Sequence, residues 1–253
     1  MRKPEKRPQF KARRMFWTLL GISLTCMQAV AAQDVAQPSV PKVSQSPGVA
    51  ASQGSRRADF DQAKASAEAR QLADWVVDLG DNLNKPFVIV DKREARVFVF
   101  DAQGKLRGAS PALLGLAIGD HSVPGIGDKK MSDIRPEERT TPAGRFVANL
   151  DRNLKGQEML WVDYDTAVSM HPVVPGHPRE RRAERLASVL PSERRISYGC
   201  INIPARFYKE VVSPAFTGTD GIVYVLPEIR SARDVFGSYN VTEKASRITT
   251  LHK

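Results

Sequence analysis

Hydrophobic spacing changes several times along this chain, and each change marks a boundary. Residues 15–32 form an uncharged, largely apolar run that includes Phe16, Trp17, Leu19, Leu20, Ile22 and Leu24, directly behind a basic stretch at 1–14. Residues 33–57 are Pro, Ser, Val, Ala, Gln and Gly with few large apolar side chains. Such a segment cannot bury enough surface to fold alone, so a disordered linker is expected there. Across 58–85, Ala65, Ala69, Leu72, Val76 and Leu79 recur in steps of three and four. That spacing predicts an amphipathic helix packed on the domain, capped by Asp59 with Gln62 three residues on and stopped by Gly80.

Beyond Pro86 the period becomes extended. Residues 87–91 and 95–100 read as paired strands, 101–104 as a turn, and 105–116 as a returning strand. Residues 117–139, punctuated by Gly and Pro, show no period and read as a long loop of the kind that often carries function. A tight turn at 140–146 feeds a strand through 150, and further strands are expected at 159–164 and 166–170, with His171 at the end of the last. Residues 172–195 are rich in Arg and Glu, with a short helix expected at 179–187. The plain reading of that run is a solvated face, and the sharper one a lid or an anion-binding edge. A helix is expected at 204–212, a buried strand at 221–226, and from 228 to 253 a polar tail with no evident core.

Charge refines this picture. Residues 1–14 hold seven Lys/Arg and one Glu, and residues 29–32 (Ala-Val-Ala-Ala) offer small side chains behind the apolar run. Together residues 1–32 have the three parts of a secretory signal, so export to the periplasm or cell envelope is expected, with no stable membrane insertion after cleavage. The formal net charge is +10. Removing 1–32 takes six of those charges away (7 − 1), which leaves 10 − 6 = +4. A mildly basic exported domain suits an anionic substrate or wall polymer and gives little support to nucleic-acid binding.

Candidate chemistry centres on one sulfur. Of the two cysteines, Cys26 lies in the signal, leaving Cys200 in Ser197-Tyr198-Gly199-Cys200-Ile201-Asn202. A lone exported thiol is a catalytic nucleophile, a small buried hydrophobe or an intermolecular partner, and the residues alone leave all three open. Gly199 permits a sharp turn. Pro204, suited to the first position of a helix, would place Cys200 just before a helix N-terminus, which stabilises thiolate. His171 is the candidate base, because His121 and His177 fall in loop and Arg-rich sequence and His252 in the tail. No metal is expected: His121, His171, His177 and Cys200 show no familiar ligand spacing.

Three elements together resemble a known family. Thr141-Pro142-Ala143-Gly144-Arg145-Phe146, a histidine ending a strand, and Ser197-x-Gly199-Cys200-Ile201-Asn202 resemble the YkuD-type L,D-transpeptidase catalytic domain over residues 86–227. The resemblance implies a mainly β fold, a β-sandwich-like catalytic domain with short helices, and an exported enzyme acting on peptidoglycan stem peptides without a cofactor. It makes Cys200 the nucleophile and His171 the general base. Backbone N–H groups of Tyr198, Gly199 and Cys200 become the oxyanion hole, and Ser197 and Asn202 shape the substrate site. Tyr198 stands where the family usually has His or Arg, Pro172 follows the base where a small residue is common, and the 29 positions between His171 and Cys200 (200 − 171) exceed the usual spacing. A module that keeps the fold without turnover, and a carboxypeptidase using the same residues, are the alternatives. The acyl acceptor and the oligomeric state stay open.

Overall fold

The computed structural model describes residues 56–251. The expected signal at 1–32, and the expected linker up to residue 55, lie outside the described residues. Helix α1 spans Ala67–Leu79, with the Ser66 hydroxyl accepting from the Ala69 N–H and Gly80 closing the helix in the left-handed conformation at φ 73°. The helix thus starts later than the sequence pattern suggests, and Ser66 rather than Asp59 caps it. Tertiary pairing is the reason. Asp59 N–H donates to Gly104 O and Asp59 O accepts from Leu106 N–H, so this stretch is held against a β-turn and cannot wind into the helix.

Ten strands follow: β1 Phe87–Asp91, β2 Arg96–Phe100, β3 Leu106–Pro111, β4 Leu114–Gly115, β5 Gly144–Arg152, β6 Glu158–Asp163, β7 Val168–Pro172, β8 Arg195–Ser197, β9 Ile201–Ile203 and β10 Gly221–Val225. Eight form one sheet in the order β3-β2-β1-β10-β5-β6-β7-β9, and β4 pairs with β8 in a second. The single strand expected at 105–116 is two, because the chain passes through Pro111, which has no N–H to give a ladder, and then changes sheet.

The nine-residue β5 belongs to both halves of the large sheet. Its first half, Gly144 to Ala148, pairs with β10, and Asn149 to Arg152 pair with β6. One core takes side chains from both halves: Val88, Val90, Val97, Val99, Val223 and Val225 from one, Leu160, Met170, Ile201 and Ile203 from the other. The opposite face of the first half carries Phe87, Ile89, Phe98, Phe100, Ile222 and Tyr224, which pack against Leu72, Trp75 and Val76 of α1. This explains why β1 is apolar at nearly every position: both of its faces are covered.

Short helical pieces lie between the later strands. Helix α2 (Arg182–Ala187) lies in the Arg-rich run and is shorter than expected, since Pro178–Glu180 winds as a 3-10 turn before it. Helices α3 (Ala205–Phe207) and α4 (Ser213–Phe216) are joined by a π-helical turn at Tyr208–Val212. Tyr208, Val212 and Phe216, spaced by four, enter the core between the sheet halves. The expected loop at 117–139 holds only 3-10 turns.

The segment after Pro227 corrects the expectation of a tail without a core. It forms α5 (Ala232–Phe236) and α6 (Val241–Leu251). Val241 is buried, the Phe236 ring meets Tyr224 at 6.1 Å, and Tyr239 and Lys244 both bond the Asp78 carboxylate of α1. Its apolar residues are too sparse to show a period, and the acceptor they need lies in a distant helix.

Candidate active site

Cys200 sits in the turn between β8 and β9, and His171 is the fourth residue of β7. The two strands lie side by side in parallel register, Met170 opposite Ile201 and His171 opposite Asn202. Met170 and Ile201 point into the core, so alternation along β7 puts Ser169 and His171 on the other face, beside Cys200. The Sγ atom is 3.6 Å from the Ser169 hydroxyl and 3.6 Å from the Ala167 carbonyl. It is half-buried and unpaired with any other cysteine among the described residues.

The imidazole is held in one orientation. His171 Nδ1 lies 2.8 Å from the Pro172 carbonyl oxygen. A carbonyl only accepts, so Nδ1 carries the hydrogen and Nε2 is the nitrogen free to take a proton from the thiol. Burial alone would push the Cys200 thiol up. The hydrogen bond and charge of His171, with donors from the Ser169 N–H and hydroxyl, outweigh it and hold the thiol below its ordinary value. Burial likewise pulls His171 down, but the Cys200 hydrogen bond and charge and the Pro172 carbonyl leave the imidazole above its ordinary value. Both shifts run in the direction that favours passing a proton from sulfur to imidazole.

The helix expected to stabilise the thiolate does not do so. Strand β9 follows Cys200 directly, and α3 starts only at Ala205 and is three residues long. Strand β7 supplies the stabilising groups instead. Ser169 was not found by sequence reading, although its position two residues before His171 on a strand places both on one face, which was the available signal.

Hydrogen bonds within the loop fix the cysteine. Gly199 has φ +130°, and a Cβ there would lie 2.9 Å from the Thr140 carbonyl oxygen, so only glycine fits. The Thr141 hydroxyl donates to Gly199 O at 2.8 Å and accepts from Gly115 N–H at 2.9 Å. The Thr-Pro motif and the cysteine motif are therefore two sides of one buried contact. Ser197 Oγ donates to Cys200 O at 2.6 Å, and Asn202 Nδ2 donates to the same oxygen at 3.1 Å. Ser197 and Asn202 are 3% and 2% exposed. Both bond the Cys200 carbonyl and so position the loop from beneath.

The expected oxyanion donors divide. Gly199 N–H already donates to Ser197 Oγ at 3.1 Å and is taken. The N–H groups of Tyr198 and Cys200 have no protein acceptor among the described residues. The Tyr198 ring is covered by the Arg139 guanidinium, 4.0 Å from its centroid, and so packs against the 117–139 loop.

A buried ionic cluster supports the loop from the other side. Lys92, with no side-chain exposure, donates to Asp120 Oδ1 at 3.1 Å, to Thr141 O at 3.0 Å and to Gly119 O. Asp120 also accepts from the N–H groups of Glu228, Ile229 and Arg230 at 2.6, 3.0 and 2.8 Å. Glu228 pairs with Arg195 of β8. The start of the C-terminal segment is thereby tied through Lys92 to Thr141.

His121 and His177 are exposed and are not brought to Cys200, and His252 lies outside the described residues. Among the described residues no group of three or more His, Cys, Asp and Glu side chains converges as a metal ion would require. No helix among them is long and apolar enough to cross a membrane. A cavity of about 1330 Å³ lies between α1 and the C-terminal helices, lined by residues such as Ser66, Asp91, Arg230 and Tyr239, away from Cys200.

No family model matches this chain, and no curated protein does. Solved structures similar to it include the catalytic domain of the L,D-transpeptidase from E. faecium, at 19% identity over 56% of this chain and 98% of that one, with a TM-score of 0.33. An L,D-transpeptidase from Mycobacterium tuberculosis H37Rv is 17% identical over 55% of this chain and 57% of its own, with a TM-score of 0.34. The helical cell shape determining protein Pgp2 from Campylobacter jejuni is 14% identical over 74% of this chain and 63% of its own, with a TM-score of 0.39. The chain thus spans less than two thirds of the last two. What Cys200 and His171 can do follows from their geometry independently of these likenesses, which are similarities to β-rich proteins of that kind.

Proposed function

We propose that this chain is an exported cysteine L,D-transpeptidase that acts on the tetrapeptide stems of peptidoglycan through a Cys200 thioester. The observation that carries the reading is the pairing of Cys200 with a His171 whose Nδ1 is fixed by the Pro172 carbonyl, beside two unpaired backbone N–H groups. The match of the Thr141–Phe146 and Ser197–Asn202 motifs to that family supports the substrate class.

In this mechanism His171 Nε2 takes the thiol proton, and Sγ attacks the carbonyl carbon of the third, L-centred stem residue. The resulting oxyanion is met by the Tyr198 and Cys200 N–H groups. Collapse breaks the C–N bond, and the terminal D-alanine leaves with the proton from the imidazolium. An acceptor amine then attacks the thioester, His171 removes its proton, and Cys200 is released as the thiol with a new amide on the acceptor. Each proton taken is given back, so the cycle needs no cofactor.

Incubation of the protein with purified disaccharide-tetrapeptide tests the proposal. Dimers formed by wild type and absent with Cys200→Ala are the expected result. Tripeptide without dimer assigns a carboxypeptidase, and no product from folded protein assigns a module without turnover.

A further inference from the structure

The Arg-rich run returns one guanidinium to the site. Arg182 opens α2, yet its side chain is only 13% exposed, whereas that of neighbouring Arg181 is 68% exposed. Arg182 Nε donates to Glu180 Oε2 at 2.6 Å, and Nη1 reaches Asn202 Oδ1 at 3.5 Å. Nη2 has no protein acceptor among the described residues. Asn202 is the register partner of His171 and also donates to the Cys200 carbonyl. The guanidinium therefore lies one side chain away from both the sulfur loop and the base. Gly176 closes around the pair: at φ +66°, a Cβ there would lie 2.3 Å from Glu180 Oε2 and 2.7 Å from Arg182 Nε.

This placement is unfavourable unless it serves something. A cation beside an imidazole that must become positively charged opposes that charge, and Glu180 occupies only the Nε edge of the fork. The Nη edge, which reaches Asn202 beside the Cys200 loop, keeps two donors with one long contact between them, and a carboxylate satisfies such a pair in a bidentate way. In a peptide cleaved one residue from its C-terminus, the free carboxylate lies one residue, roughly 3.5 Å of chain, from the attacked carbonyl.

We propose that Arg182 binds the terminal carboxylate of the peptide whose carbonyl Cys200 attacks, and so selects acyl donors with a single residue beyond the scissile bond. This rests on the catalytic reading of Cys200 and His171 and deepens it. The substrate class is a peptide with a free C-terminal carboxylate. Peptides amidated at that end, or extended by another residue, misplace the anion and are poor donors. Arg182 is a specificity residue here, and the Glu180 pairing keeps it extended toward Asn202 before substrate arrives.

The test uses the full chain and reads modification of Cys200 itself by peptide mass spectrometry, with iodoacetate as an anionic probe and iodoacetamide as its neutral counterpart. The iodoacetate-to-iodoacetamide rate ratio at Cys200 should fall about fivefold in Arg182→Gln, the scale of one partly screened ion contact, and fall less in Arg182→Lys. With tetrapeptide acid and tetrapeptide amide as donors, wild type should favour the acid, and R182Q should lose that preference through KM. A reactive thiol whose ratio is the same in wild type and R182Q overturns the role of Arg182 alone. A Cys200 inert to both reagents overturns the catalytic reading and this inference with it. If R182Q does not fold, R182K decides: a KM raised for the acid only supports the proposal, and equal changes for acid and amide overturn it.

Discussion

Replacing Thr141 with Val separates packing from hydrogen bonding at the joint between the two sequence motifs. The side chain is fully buried, and its hydroxyl makes two bonds, 2.8 Å to Gly199 O and 2.9 Å from Gly115 N–H. Val keeps the shape and removes both. A buried carbonyl and a buried N–H are then left without partners, at about 1–3 kcal/mol each, while the extra methyl returns less than about 1 kcal/mol. The net loss is about 2–5 kcal/mol, or about 5–15 °C in melting temperature for a domain of this size. Thr141→Ser keeps both bonds and loses one methyl, about 1 kcal/mol. Thermal unfolding should therefore rank wild type above T141S and T141S well above T141V. Iodoacetamide labelling of Cys200 should slow in T141V alone, because the Gly199 peptide is released. A T141V protein as stable and as reactive as T141S would show that the hydroxyl does not hold the loop.

Four further outcomes are expected. Because His171 and Ser169 hold the thiol below its ordinary value, labelling of Cys200 should rise with pH through a midpoint below that of a free thiol. That midpoint should move upward in His171→Ala and, by less, in Ser169→Ala, and H171A should lose product formation while its circular dichroism stays that of wild type. Gly199→Ala forces a side chain into φ +130° against the Thr140 carbonyl and should cost about 1–3 kcal/mol in urea unfolding and most of the activity. Burial raises Asp120, but the Arg230 and Ile229 N–H groups and Lys92 lower it further, so its contribution is complete above the unfolded carboxyl value and is lost as pH falls through the lowered folded one. The stability gap between wild type and Asp120→Asn should accordingly be about 1–3 kcal/mol near neutral pH, where Lys92 loses one of its two buried carboxylate partners and keeps Glu228 at 3.5 Å, and shrink in strong acid.

Local pattern was enough to place most of the strands. The apolar runs at 87–91 and 221–226 could only be covered strands, and Gly80 could only stop a helix, because these depend on side-chain period and backbone freedom within a few residues. The cysteine motif likewise named Cys200 and Gly199, and the end of a strand named His171. Where the sequence misplaced an element, a distant partner had intervened. Asp59 pairs with the Gly104 turn and cannot cap α1, and the residues after Pro227 acquire a core because Asp78 and Tyr224 lie across from them.

Chain order alone therefore singled out the candidate residues: a thiol, an imidazole closing a strand, and a glycine at a sharp turn. Only the folded sheet decided how they act. Parallel pairing of β7 with β9 sets Ser169 and His171 against a sulfur about thirty residues away, so the thiolate is stabilised by a neighbouring strand and no helix terminus takes part. Spacing along a chain records the period of one element. It carries no information on which element will lie alongside, since that is set by the shared core that brings Met170 and Ile201 together.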